Sequence, residues 1–163
     1  METNAPDNRT IHDYLSALRS GSPTPGGGSA AAYAGAMGAS LAAMVARLTL
    51  RAPEADTALA PAAKRLDALV DELSASARDD EDCYGRYRAA AALPKATAGE
   101  KQARSAAMQA ALQAAAETPL LTARRTLEAL DLTAIVAELG TRYALSDVHV
   151  AGHLLTAAIE GAL

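Results

Sequence analysis

The chain has 163 residues, a net charge of −4 at pH 7, a single cysteine and no Phe or Trp, and half of its residues are hydrophobic. This length suits one domain over residues 1–163, and the acidic balance disfavours nucleic acid as a partner. The lone Cys83 excludes an intrachain disulfide. The lack of an apolar leader or of a long uninterrupted apolar run predicts a cytoplasmic protein with no membrane segment.

Alanine accounts for about a quarter of the residues, far above ordinary usage. It is the best helix former, but its small side chain fills little core volume. Helices built from it must approach one another closely or find a partner chain. The composition therefore predicts an all-α protein that oligomerises, and its helices are expected to form an antiparallel bundle of five to six.

The helices can be placed in chain order from their caps and breaks. Thr10 caps a short first helix, with Leu15 and Leu18 facing inward, and Gly21 ends it. Ser29 is the expected N-cap of a second helix that runs to about residue 51. The remaining predicted helices span residues 57–92, 97–117 and about 120–138, with a break at Thr118-Pro119, and a last one capped by Ser146 with Asp147 in its first turn.

The segment SPTPGGGS at residues 22–29 joins the first two helices. Glycines let the backbone come close to a ligand, and a helix N-terminus attracts anions through its unpaired N–H groups. The alternative is a plain turn, because the segment matches neither GxxxxGK[ST] nor GxGxxG. The small residues that follow, with Gly35 and Gly38, indicate close helix packing.

One carboxylate lies on the apolar seam of the long third helix. Its stripe is formed by Leu66, Val70, Leu73, Ala77, Asp80, Tyr84, Tyr87 and Ala91. Asp79, Glu81 and Asp82 lie off this stripe and are interpreted as a solvated face. A seam carboxylate is costly unless it is bonded, and perturbed carboxylates collect at functional sites. The spacing leaves a structural and a catalytic role for Asp80 about equally open.

His149 and His153 share one face of the last helix at metal-binding spacing. No third histidine and no convincing carboxylate partner lies near them in the sequence. The pair is therefore interpreted as ordinary helix-surface residues, and no metal is expected.

Several motifs in order resemble the cyclodeaminase domain of formiminotransferase-cyclodeaminase and the methenyltetrahydrofolate cyclohydrolases. They are Pro23-Thr-Pro-Gly-Gly-Gly-Ser29, the acidic stretch Asp79-Asp-Glu-Asp-Cys-Tyr84, Leu93-Pro-Lys-Ala-Thr97, Glu100-Lys-Gln-Ala-Arg104, Ser146-Asp147 and Glu160-Gly-Ala162. The resemblance covers residues 10–163. It implies an all-α dimer that acts on a reduced folate and needs no further cofactor.

The resemblance also implies roles for individual residues. The acid four positions before the aromatic is the family's proposed catalytic aspartate, which gives Asp80 as acid/base. The expected substrate-binding residues are Pro25, Gly26, Gly27, Gly28, Ser29, Tyr84, Lys95 and Asp147, with Lys95 and Arg104 considered for the substrate carboxylates.

The resemblance implies an enzyme that interconverts 5-formimino-, 5,10-methenyl- and 10-formyl-tetrahydrofolate. Two alternatives stay open. One is a diverged enzyme acting on another small imine or amidine, favoured by Tyr143 where the family has an Asn before its Ser-Asp pair. The other is a non-catalytic helical dimer that binds folate or a protein partner.

Overall fold

The computed structural model describes residues 9–163 of the chain. Within that range there are five α-helices, a single-turn 3₁₀ helix and no strand. The helices are α1 (Ile11–Leu18), α2 (Gly27–Thr49), α3 (Leu59–Ala91), α4 (Ala98–Leu139) and α5 (Leu145–Ala162), and the 3₁₀ turn is Arg142–Ala144. The predicted all-α class is confirmed.

The four long helices form an up-down-up-down bundle. Gly28 of α2 lies against Asp80 of α3, and Gly35 lies against Leu73, so these two helices run antiparallel. Helices α3 and α4 also run antiparallel, as the contacts Arg65–Glu128 and Ser76–Arg125 show. Helices α2 and α5 do the same, with Gly38 against Leu155 and Ala31 against Gly161. Helices α2 and α4 meet across the diagonal and run parallel.

Helix α2 is the central helix of this bundle. Added Cβ atoms at Gly35 and Gly38 would meet side chains of α3, α4 and α5 within 3.0 Å or little more, so the glycines permit this close approach. By length and composition α2 is also apolar enough to cross a membrane, which corrects the expectation that no such run exists. It is packed among three helices, however, and core helices pass the same test.

Helix α2 begins earlier than its sequence suggests. Gly26 is the N-cap and carries no side chain to cap the helix, and Gly27 is the first helical residue. Ser29 is therefore not the N-cap, and its prediction as one is wrong. A helix that starts on glycines leaves its first N–H groups open to partners from elsewhere in the fold.

Helix α1 is attached to the bundle mainly by polar contacts. The predicted cap at Thr10 is present as a capping box with Asp13. Leu15 and Leu18 do not face inward as expected: their side chains are 53% and 36% exposed, and α1 has no buried residue. The helix lies across the start of α2, where Tyr14 contacts Ser29 and Tyr33.

Helix α4 passes through Pro119 without the predicted break. Proline removes one helical hydrogen bond, at a cost of about 3 kcal/mol in a helix interior. The helix continues because the part of α4 that follows the proline packs into the bundle, where Thr122, Thr126 and Thr133 are buried. Tertiary packing thus overrides the local signal.

Helix α5 starts at Leu145 directly after the 3₁₀ turn, and its N-cap Ala144 makes no side-chain cap bond. Ser146 is therefore not a cap, whereas Asp147 does lie in the first turn as predicted.

Candidate active site

Asp80 lies at the level where α2 begins, which is one end of the four-helix bundle. Beyond this level α3 and α4 continue together as a two-helix arm, joined by contacts such as the bond from Arg104 Nε to the Ala91 carbonyl. Asp80 therefore lies at the base of the arm, partly buried between α3 and the glycine segment.

The carboxylate of Asp80 takes the place of the cap that α2 lacks. The backbone N–H of Ser29 donates to Asp80 Oδ2 at 2.8 Å, across 51 residues of sequence. A Cβ on Gly28 would lie 2.3 Å from Asp80 Oδ1, so only glycine leaves room for the carboxylate here. Within residues 9–163 Oδ1 accepts no hydrogen bond, which leaves it available for a substrate.

Burial raises the pKa of the Asp80 carboxyl above its ordinary value. The Ser29 N–H opposes this because it stabilises the carboxylate, and the nearby charge of Glu81 reinforces it. A carboxyl group of raised pKa with one oxygen left unbonded suits general acid/base catalysis.

Glu81 belongs to the same site, although the sequence placed it on a solvated face. Its side chain is 17% exposed. The guanidinium of Arg9 donates to both of its carboxylate oxygens at 2.9 Å, and the Ser29 hydroxyl donates to Oε1 at 3.0 Å. The interpretation of Glu81 as a solvated residue is wrong because its partners come from distant segments that the pattern of α3 does not reveal.

Tyr14 extends this network from α1. Its hydroxyl lies 3.2 Å from the Ser29 Oγ, and its ring packs edge-on against Tyr33 with 4.8 Å between centroids. Because the single hydroxyl hydrogen of Ser29 goes to Glu81, Tyr14 donates to Ser29. Burial raises the pKa of Tyr14, so its hydroxyl keeps its proton at neutral pH. Neither Arg9 nor Tyr14 carried a motif that would have identified it from the sequence.

An open groove of about 740 Å³ lies beside this network. One wall is the loop at Ser22, Pro23 and Thr24, and the other is the solvent face of α3 from Glu81 to Ala89. Tyr84, which is 42% exposed, and Arg88 line it. Arg88 has no ion pair in the part of the chain that the structure describes.

The structure brings together most of the predicted site residues. Gly26, Gly27, Gly28 and Ser29 form the start of α2 beside Asp80, with the buried Pro25 just before them, and Tyr84 is one turn further along α3.

Lys95 and Asp147 lie away from Asp80. Lys95 is exposed in the loop that follows α3. The last residue of that helix, Ala91, is already 11 residues, or about 16 Å along the axis, from Asp80. Asp147 lies towards the other end of the bundle. Ala151, four residues after it on α5, faces Gly38, and Gly38 lies about 15 Å along α2 from Gly28, the residue beside Asp80. Neither can contact a ligand group bound at Asp80 within one chain.

Among residues 9–163 no group of three His, Cys, Asp or Glu side chains is arranged to hold a metal ion. His149 and His153 both lie exposed on α5.

Comparisons with known proteins agree with this architecture. The model of the formiminotransferase-cyclodeaminase family matches residues 10–163. The methenyltetrahydrofolate cyclohydrolase of Methylorubrum extorquens is 41% identical over 147 residues, which cover 88% of this chain and 71% of that protein. The formimidoyltransferase-cyclodeaminase of Gallus gallus is 32% identical over 152 residues, 91% of this chain but only 28% of that longer protein.

The same architecture is present in a solved structure. The crystal structure of formiminotetrahydrofolate cyclodeaminase from Thermotoga maritima superposes with a TM-score of 0.77 at 25% identity, covering 95% of this chain and 75% of that one.

Proposed function

This chain belongs to the formiminotransferase-cyclodeaminase family, and we propose that it is an enzyme that opens the ring of 5,10-methenyltetrahydrofolate with water to give 10-formyltetrahydrofolate. The observation that carries the proposal is the Asp80 carboxylate, which is held against Gly28 by the Ser29 N–H with one oxygen left unbonded. The cyclohydrolase of Methylorubrum extorquens supports this reaction above the alternatives.

The reaction includes two proton transfers that one carboxyl group can serve. Water attacks the cationic carbon that bridges N5 and N10, and Asp80 Oδ1 takes the first proton that the water loses. The same group then returns this proton to N5 as the bond from N5 to the bridging carbon breaks. The hydroxyl left on that carbon gives its remaining proton to solvent, which leaves the formyl group on N10. Before the attack, the carboxylate stabilises the positive ring by charge.

The face of α3 suggests how the substrate lies. Asp80, Tyr84 and Arg88 are spaced four residues apart, so they share one side of the helix and span about 12 Å along its axis. We place the reacting ring at Asp80, the aminobenzoyl ring against Tyr84 and the glutamate carboxylates at Arg88. Arg88 thereby replaces Lys95 and Arg104 in this role, because Arg104 instead donates to the end of α3.

The unpaired N–H groups at the start of α2 provide a second point of attachment. Those of Gly27 and Gly28 have no acceptor within residues 9–163, and they lie next to Asp80. They are suited to donate to a carbonyl or other electron-rich atom of the pterin ring. A polar substrate group there would share the helix terminus with the Asp80 carboxylate.

Cyclodeamination is the second candidate. In it N10 attacks the formimino carbon on N5 and ammonia leaves, which requires a proton donor to the leaving nitrogen. The likeness to the Thermotoga maritima cyclodeaminase favours it. Incubation with 5-formiminotetrahydrofolate and measurement of released ammonia separates the two reactions.

The proposed role of Asp80 predicts a pH dependence. The attack on the bridging carbon needs the carboxylate form, and the pKa of Asp80 is raised. We therefore expect kcat/KM for methenyl-ring opening to rise with pH through a midpoint above about 3.9, the ordinary value for aspartate. The measurement is the absorbance decay of 5,10-methenyltetrahydrofolate from about pH 4 to about pH 8, corrected for the uncatalysed rate. A pH-independent enzymatic rate would contradict this role.

We further propose that the enzyme works as a cytoplasmic homodimer. The outer face of α2 presents Met37, Met44 and Leu48, which are 51%, 38% and 37% exposed and lie on one side of the helix. We call these three residues the α2 stripe. Ile11 and Leu15 of α1 are also exposed. A second copy that covers this surface would supply the apolar burial that the alanine-rich core lacks.

A further inference from the structure

The contacts of Ser29 couple the two adjacent carboxylates of α3. Asp80 accepts from the Ser29 backbone N–H, and Glu81 accepts from its side-chain hydroxyl. Ser29 is fully buried, so neither of its polar groups can turn to solvent instead. Asp80 and Glu81 therefore share one anchor.

We propose that Glu81 is a positioning residue of the reaction: clamped by Arg9, it fixes Ser29 and thereby the N–H that aims the Asp80 carboxylate at the substrate. The proposal rests on the function proposed above, since it concerns the same carboxylate. It assigns Tyr14 of α1 and Arg9, two residues before that helix, a role in catalysis, although neither is hydrogen-bonded to Asp80 within residues 9–163.

The geometry supports this role in two ways. The Arg9–Glu81 pair is bidentate, which fixes orientation as well as distance, and Arg9 also lies over the Tyr14 ring at 5.6 Å. The hydroxyl chain runs in one direction, from Tyr14 to Ser29 to Glu81, and ends on a carboxylate that Arg9 holds in place. A loosened Ser29 would change the direction of its N–H, and small misplacements of a reacting group are costly.

Among residues 9–163, Glu81 is the charged group that raises the pKa of Asp80, although Arg78, Asp79 and Asp82 also lie near it on α3. Glu81 is on its own helix, Arg9 and Tyr14 approach from the α1 side, the first turn of α2 holds no acidic residue, and α4 presents the neutral Thr118 to Cys83 at this level. Loss of the Glu81 charge alone would lower the pKa of Asp80, whereas loss of the aimed Ser29 N–H would raise it, and the Ser29 bond has the larger effect on this pKa. A positioning role of Glu81 therefore predicts a higher pKa of Asp80 in Glu81→Gln.

The test compares Glu81→Gln with Asp79→Asn in the full chain. Asp79 is the exposed neighbour of Asp80 on the other side and makes no hydrogen bond or ion pair in the described residues. We expect Glu81→Gln to lower kcat about 10- to 100-fold with little change in KM, and to move the rising limb of the pH profile to higher pH, the direction opposite to that of a simple loss of charge. Asp79→Asn should keep the wild-type kcat and leave the rising limb of the pH profile nearly unchanged.

A second variant guards against a merely structural effect. Arg9→Gln removes the guanidinium that holds the Glu81 carboxylate but keeps Glu81 itself. A double variant that combines Arg9→Gln with Glu81→Gln should lose no more activity than Glu81→Gln alone, because the two residues act as a unit. Wild-type kcat in Glu81→Gln would overturn the proposal. So would a loss of kcat that follows a lowered Tm and leaves the pH limb in place.

Failure of the proposed function is distinguishable from failure of this inference. If wild-type protein opens no folate ring, the carboxyl carbon of Asp80 can still be titrated by ¹³C NMR. Glu81→Gln should move that midpoint to higher pH, which Asp79→Asn should not do. Equal midpoints in all three proteins would contradict the coupling whatever the substrate is.

Discussion

Asp80 shows what a single residue position reveals in a sequence. An acid on an otherwise apolar seam is recognisable from spacing alone, and the structure places it against the start of α2. Its partner was not predictable, because it is the backbone N–H of Ser29, 51 residues away in the chain. Glu81 was missed for the same reason, because Arg9 and Ser29 are 72 and 52 residues away from it in the chain.

Gly28 is the residue whose replacement should disturb Asp80 most directly. In Gly28→Ala the new Cβ would lie 2.3 Å from Oδ1, so the carboxylate must move. We expect turnover of 5,10-methenyltetrahydrofolate to fall at least about tenfold and the free energy of unfolding to fall by about 1–3 kcal/mol. Turnover and urea unfolding measure the two effects.

Gly152→Ala is the matched control, since a Cβ at this position of α5 meets nothing within 4 Å. Its turnover should be unchanged and its stability raised by about 0.5–1 kcal/mol, the ordinary gain from Gly to Ala in a helix. Equal turnover in the two alanine variants would show that the space beside Asp80 does not matter for activity.

At the scale of the element, α3 combines two roles along its length. Its first half packs in the core through Leu59, Leu66, Leu69 and Leu73, all fully buried. Its second half leaves the bundle, and there Tyr84 and Arg88 face the groove. The apolar spacing correctly predicted that Leu66, Leu73 and Ala77 are buried. It did not predict where this side of α3 becomes a binding surface, because that depends on where α2 begins.

Arg88 tests the proposed orientation of the substrate along α3. Arg88→Gln should raise KM for 5,10-methenyltetrahydrofolate about tenfold with kcat nearly unchanged, since the lost interaction is the same in ground and transition states. The control is Lys101→Gln, an exposed cation on α4 outside the groove. An unchanged KM in Arg88→Gln, or an equal rise in the control, would refute the orientation.

Helix boundaries were predicted where local chemistry decides them. The capping boxes at Thr10 and Thr97 form within four residues and start α1 and α4. The errors at Ser29 and Pro119 occur where a distant contact or buried packing outweighs the local signal, whereas at Ser146 the 3₁₀ turn runs directly into α5, which begins one residue earlier. In α2 the missing cap is supplied by Asp80, which no local pattern could indicate.

At the scale of the molecule, composition predicted the all-α class. It did not predict the arm of α3 and α4, whose base holds the candidate site. The α2 stripe and the exposed side chains of α1 are also properties of the assembled fold, since they depend on which faces remain uncovered.

The homodimer is tested on this outer face. Wild-type protein should have twice the chain mass in solution, and Met37→Glu should halve it because burying a carboxylate in an apolar interface is costly. Sedimentation equilibrium measures both. Leu112→Glu, an equally exposed apolar position on the arm, should stay dimeric. A monomeric wild type, or a dimeric Met37→Glu, would contradict this interface.

The central claim is that Asp80 performs the proton transfers of a folate enzyme, and the Asp80→Asn variant is suited to test it. The raised pKa of Asp80 means that its effect on stability is most favourable below the unfolded-state pKa and is lost as pH rises through the folded one. At neutral pH the charged group therefore adds no stability through this shift, and the asparagine oxygen can still accept the Ser29 N–H. The variant should fold normally.

The most direct measurement is the absorbance decay of 5,10-methenyltetrahydrofolate with purified wild-type protein and Asp80→Asn at neutral pH. We expect rapid decay with wild type and a turnover at least about 100-fold lower with the variant, which retains its helical circular dichroism. Equal decay with both proteins would contradict the role of Asp80. No acceleration by either protein, together with no ammonia from 5-formiminotetrahydrofolate, would contradict the folate activity itself.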